Sequence, residues 1–126
     1  METNTQRLKE QLDRFQGSGK RYLLPLCGTY YTEGIQYLAK TAKAFWLLTD
    51  ASVMGKGLRD KSRFITVDFK RCSKTEAGTH GHDAVIAYTD GNGTTLARQQ
   101  YHFTDFPLER IRLYFVDNTL LLPSEY

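Results

Sequence analysis

The chain has 126 residues, 40% of them hydrophobic, which is enough for one packed core and too short for two ordinary domains, so a single domain over residues 1–126 is expected. A formal charge of +3 with a pI near 8.9 argues against both a polybasic, histone-like protein and the strongly acidic surface of a DNA mimic. The two cysteines, Cys27 and Cys72, lack C-x-x-C spacing, which argues against a disulfide framework and a four-ligand zinc site. The polar start METNTQRLKEQLDRF and the lack of a long apolar run argue against secretion and membrane insertion, so a cytoplasmic protein is expected.

The first half reads as helical. Thr3, Asn4 or Thr5 can cap a short amphipathic helix with Leu8, Leu12 and Phe15 on one face and Gly17 as its stop. The segment RYLLPLCGTYY is apolar but interrupted by Pro25 and Gly28, and predicts an extended, partly buried connector. From Thr32 the apolar positions Ile35, Leu38, Ala39, Ala42, Phe45 and Trp46 recur at helical spacing. They predict a helix to about Ser52, kinked near Lys43 and ended by Gly55 and Gly57, with Trp46 anchoring it to a sheet.

The second half changes period. Ile65, Val67 and Phe69 alternate with Thr66, Asp68 and Lys70, the pattern of a strand with one buried face. Two further runs flank Asp90-Gly91-Asn92-Gly93, residues that tolerate the positive φ of a tight hairpin turn. Pro107 suits the start of a single helical turn, and RIRLYFVDNTLLLP predicts a second hairpin turning at Asp117-Asn118. The expected fold is α+β, with N-terminal helices packed on one face of an antiparallel meander of about five strands.

YTEGIQYLA, FWLLTDAS, DGNGTTLARQQYHFTDFPL and LLLPSEY together resemble an uncharacterised family of small bacterial and mobile-element domains of unknown function. The likeness runs along nearly the whole chain and brings no catalytic residues with it. This chain departs from the family pattern at GKRYLLPLCG, where relatives carry an aromatic, His-containing segment. It departs again at Lys43-Ala44, where they carry a Gly before the aromatic run. The resemblance implies a setting: a small accessory gene of phage or plasmid type, of the kind that encodes an inhibitor of a host defence system.

Residues 56–74, KGLRDKSRFITVDFKRCSK, hold seven Lys or Arg against two Asp, so most of the net positive charge is local. Lys56, Arg59, Lys61, Arg63, Lys70, Arg71 and Lys74 gather toward the ends of the strand, which suits a docking rim better than a continuous nucleic-acid track. In the connector, Lys20, Arg21, Tyr22, Tyr30 and Tyr31 read as an interface edge, tyrosine combining a large rigid surface with a hydroxyl. Alternatively, Tyr30 and Tyr31 serve as a staple at the start of the second helix.

Catalytic signals are thin. His80 and His82 in GTHGHD could share a metal if both are extended, with Asp83, Cys72 and His102 nearby, but no third ligand stands at motif spacing. There is no G-x-S-x-G elbow, and the glycines at 91–93 lie in a hairpin and not between strand and helix, so no nucleotide or other cofactor is expected. The expectation is therefore a non-enzymatic, anti-CRISPR-like inhibitor that docks on a host protein or ribonucleoprotein complex. The alternatives are a nucleic-acid-binding accessory protein using residues 56–74 and a small metal-dependent enzyme using His80 and His82.

Overall fold

A computed structural model of the chain describes residues 4–15, 20–25, 27–71, 83–101 and 106–126. Helix α1 spans Asn4–Leu12, strand β1 Arg21–Leu24, β2 Thr29–Thr32, helix α2 Glu33–Thr41 and α3 Phe45–Leu58. Strands β3 (Phe64–Arg71), β4 (Ala84–Thr89), β5 (Thr95–Tyr101), β6 (Arg110–Val116) and β7 (Thr119–Leu121) follow, and a 3-10 turn over Pro123–Glu125 closes the chain. The fold is α+β, but the sheet has seven strands in the order β1-β2-β7-β6-β3-β4-β5.

Two corrections to the expected sheet come from the connector. Its two apolar halves pair with each other as β1 and β2, Leu24 opposite Thr29, so Pro25 and Gly28 punctuate the turn between two strands. Gly28 takes φ +67 there, a conformation that costs glycine little. β2 then pairs parallel with β7, Tyr30 beside Thr119 and Tyr31 beside Leu120, which makes the sheet mixed and not a simple meander. Both turns expected from the second half are present: Gly91 and Gly93 have φ +82 and +95, while Asp117 and Asn118 at +53 and +59 form the type I′ geometry that matches strand twist. The stretch around Pro107 forms no helical turn; Phe106 and Leu108 are instead buried side by side with the core.

The long helix is also corrected. It is two helices, broken where Lys43 adopts φ +52. The Ala44 N–H donates to the Ala39 carbonyl and the Lys43 N–H to that of Lys40, the pair of bonds that closes a helix in a Schellman motif, with Lys43 at the left-handed position usually given to glycine. α3 in turn runs through Gly55 to Leu58. Gly55 does not end the helix because it faces the sheet: a Cβ there would lie 2.6 Å from the ring of Phe115, so the helix axis approaches the sheet only because this side chain is missing.

All three helices lie on one side of the sheet. Ile65, Val67 and Phe69 of β3 point there with Ile86, Tyr88, Leu113, Phe115 and Leu120, and they merge with Leu8, Leu12, Ile35, Leu38, Leu47 and Leu48 into one buried cluster. Trp46 spans the layers as expected, its ring 6.2 Å from Phe69, 5.3 Å from Tyr101 and 6.1 Å from Phe106. The C-terminal turn locks this arrangement. The Glu125 carboxylate accepts from the Thr32 hydroxyl at 2.6 Å, the Gly34 N–H at 3.1 Å and the Leu122 N–H at 3.0 Å. It thereby supplies an anion at the N-terminus of α2, where the helix dipole favours one.

Candidate functional site

The side of the sheet away from the helices is the candidate site. Alternation along each strand turns every second residue to that side, and the pairing register aligns them in rows. Arg98, Ala87, Asp68 and Arg112 form one row across β5, β4, β3 and β6; Gln100, Val85, Lys70 and Arg110 form the next. Thr89, Thr66, Tyr114 and Leu121 follow, then Phe64, Val116, Thr119, Tyr30 and Leu23. Arg21 reaches over from β1 with its guanidinium 4.4 Å from the centre of the Tyr30 ring and within 3.4 Å of the Thr119 hydroxyl. At its outward strand positions the face thus carries Arg21, Lys70, Arg98, Arg110 and Arg112 against a single carboxylate, Asp68.

That carboxylate is already engaged. Arg112 donates to Asp68 through Nε at 2.6 Å and Nη2 at 3.2 Å, and the pair raises the Arg112 pKa further. The two-point contact holds the guanidinium flat on the sheet while leaving the side chain 57% exposed. Arg98 and Arg110 are exposed, and their side chains have no hydrogen-bond or ion-pair partner among the described residues. Further along the face, Phe64, Tyr114 and Tyr126 form an aromatic cluster with centroids 4.8 to 5.5 Å apart, and Tyr126 keeps 71% of its surface open. Thr66 is buried between them, bonded hydroxyl to hydroxyl with Thr89.

The residues expected to bind a partner are divided by this geometry. Arg21, Tyr30 and Lys70 lie on the open face. Tyr22 and Tyr31 point to the helix side, rings 5.5 Å apart, because they alternate with Arg21 and Tyr30. Lys56 donates to the Cys27 carbonyl at 2.5 Å and Arg59 to Asn118 Oδ1 at 3.1 Å, tying the end of α3 to two turns of the sheet. Lys61 and Arg63 are exposed in the turn before β3, and Lys20 is exposed ahead of β1. Arg71 donates to the Phe106 carbonyl at 3.0 Å, and Lys74 lies outside the described residues. Thus the basic stretch does not assemble as one patch, and Arg98, Arg110 and Arg112, which sequence reasoning passed over, stand in register with Lys70. The alternation of R-I-R in β6 was the available signal.

A second polar cluster lies on the helix side. Tyr88 donates to Gln99 Oε1 at 2.5 Å, and the Tyr101 hydroxyl lies 2.8 Å from Asp50 Oδ2 and 3.3 Å from Gln99 Oε1. Burial, and then the Asp50 carboxylate, push both phenols above the ordinary tyrosine range. The network satisfies the hydroxyl of a tyrosine that is fully buried. His80, His82, His102 and Cys72 lie outside the described residues, and among those described no group of three or more His, Cys, Asp or Glu could hold a metal.

No curated protein and no solved structure matches this chain. The model of a family of unknown function, DUF6876, matches residues 6–126, and the chain belongs to that family.

Proposed function

We propose that this chain is a non-enzymatic binding protein that docks through its uncovered sheet face on an anionic surface of a macromolecular complex. The carrying observation is the open face itself: Arg21, Lys70, Arg98, Arg110 and Arg112 stand at its outward strand positions, where the one carboxylate, Asp68, is already bonded to Arg112. Such a field steers an oppositely charged partner and fixes its orientation. In the mobile-element setting that the resemblance implies, the concrete form is a cytoplasmic, anti-CRISPR-like inhibitor that occupies part of a host protein or ribonucleoprotein complex. Among the described residues no helix is long and apolar enough to cross a membrane, which fits a partner met away from the bilayer.

The test combines capture with interference. Wild-type chain and an Arg98→Glu/Arg110→Glu variant are used to retrieve complexes from host extract, with and without nuclease, and both are expressed in cells carrying an active CRISPR system challenged with a targeted plasmid. Wild type should retain a complex and raise plasmid survival, and the variant should lose both. Equal recovery and equal survival with the two proteins would sink the proposal.

A further inference from the structure

We propose that the cleft at the start of β6 is a slot for one base of a single-stranded nucleic acid whose phosphates lie on the cations of the open face, an inference that rests on the docking reading and names its partner class. The cleft measures about 290 Å³ and lies between α1, the beginning of β6 and residues 122–124. Leu12, Leu108 and Leu122, all buried, supply an apolar floor. That volume is at the small end for ligand sites, which run from about 300 Å³. It suits one planar ring and excludes a folded element.

Lys9 of α1 and Asp13 just after it also line the cleft with Arg110 and Arg112, at the stretch of β6 that lies beyond its pairing with β7. Lys9 and Arg110 have no hydrogen-bond or ion-pair partner for their side chains among the described residues, while Asp68 holds Arg112 in place. Four residues along β6 from Arg110, roughly 13 Å at the rise of a strand, stands Tyr114 with Phe64 and the exposed ring of Tyr126. One strand therefore presents in sequence a ring-sized slot, a set of cations and a ring platform. A nucleic-acid strand alternates bases and phosphates in the same way. An acidic peptide would satisfy the cations, but it gives no reason for a slot with an apolar floor at one end and an aromatic platform at the other. The strand must be single, because a base enters such a slot only out of its stack, and stacking on aromatic side chains is how unpaired bases are held.

Fluorescence anisotropy on the full chain tests this, using labelled oligo-uridine and oligo-thymidine, a duplex of matched length, and a labelled poly-glutamate peptide. The single strands should bind, the duplex should bind at least tenfold more weakly, and log affinity should fall with log salt at a slope of about −3.5, or −0.7 for each of five phosphates. Lys9→Glu and Arg110→Glu, both exposed, should each weaken binding at least tenfold with an unchanged circular dichroism spectrum. Asp13→Asn removes the carboxylate of the rim and should tighten binding several-fold, a gain that a structural role would not produce. Absence of single-strand binding at low salt, equal affinity for duplex, or no gain from Asp13→Asn overturns the slot. Should poly-glutamate bind in an Arg98- and Arg110-dependent way while the strands do not, the docking reading stands and this inference fails. Should neither anion bind with that dependence, both fail.

Discussion

Gly55 and Gly57 lie two residues apart in α3, and replacing each by alanine should change stability in opposite directions. Alanine in a helix interior is favoured over glycine by about 1 kcal/mol. At Gly57 nothing lies within 4 Å of where the new methyl would sit, so Gly57→Ala should keep that gain, reduced to roughly 0.5 to 1 kcal/mol by its place near the helix end. At Gly55 the methyl would meet the Phe115 ring at 2.6 to 2.7 Å, about 1 Å inside an optimal carbon contact of about 3.5 to 4.0 Å. Phe115 cannot retreat, since it is 1% exposed and paired in the sheet with Ile65 and Leu120, which are themselves fully buried. Overpacking a closed core costs roughly 1 to 3 kcal/mol, and with no room to relax the upper end applies. After the propensity gain is set against it, Gly55→Ala should lose about 2 kcal/mol. Urea unfolding followed by circular dichroism would read both variants, with the midpoints moving apart and the slopes unchanged. A Gly55→Ala protein as stable as wild type would show that α3 does not lie on Phe115 and would refute the layer arrangement.

Four other outcomes follow from particular contacts. Glu125→Ala should destabilise by roughly 2 kcal/mol in the same assay, because two donors at the start of α2, the Thr32 hydroxyl and the Gly34 N–H, and the Leu122 N–H before the C-terminal turn lose their acceptor; a neutral result would mean that solvent replaces the carboxylate. Lys43→Gly should stabilise by about 0.5 to 1 kcal/mol by relieving a left-handed backbone, and a loss would show that Lys43 holds that position for another reason. The Asp90 carboxyl accepts backbone N–H bonds from Asn92 at 2.8 Å and Thr94 at 3.1 Å, which hold it below its ordinary value of 3.8. Its contribution to stability is therefore present above the ordinary carboxylate range and lost as pH falls through the lowered folded value, and an NMR titration giving a value above 3.8 would contradict the turn geometry. Tyr88 and Tyr101, raised by burial and by Asp50, should be the last of the eight tyrosines to ionise in an ultraviolet titration. Their stabilisation is complete below about pH 10, where an unfolded tyrosine titrates, and lost as pH rises toward their folded values.

Family membership and geometry divide the question of function between them. The family carries no activity to transfer, so the chemistry must come from the side chains that this fold exposes. The open face carries, at its outward strand positions, cations on four strands and one carboxylate already paired, beside three clustered rings. Salt bridges at a surface contribute little to stability, and Arg98 and Arg110 form none with the described residues, so folding alone does not account for them. The proposed anionic partner would give them a role.

The sequence by itself determined much of what depends on neighbours along the chain. Ile65, Val67 and Phe69 alternate, so their burial follows from period two. Gly91, Gly93, Asp117 and Asn118 accept positive φ, so both hairpin turns were legible, and the spacing of Leu8 and Leu12 marked a buried helix face. Only the tertiary structure decided what depends on residues far apart. β2 finds β7 some ninety residues away, which converts a connector into two strands and separates Tyr30 from Tyr31 on opposite faces. Gly55 ends a helix by local rule, yet here it continues one because Phe115 needs the space. The cations followed the same division. Lys56 and Arg59 are close in sequence to Lys70 but are spent on turns at the end of the sheet, whereas Arg98 and Arg110 come from other hairpins and join it only through strand register, which no local pattern encodes.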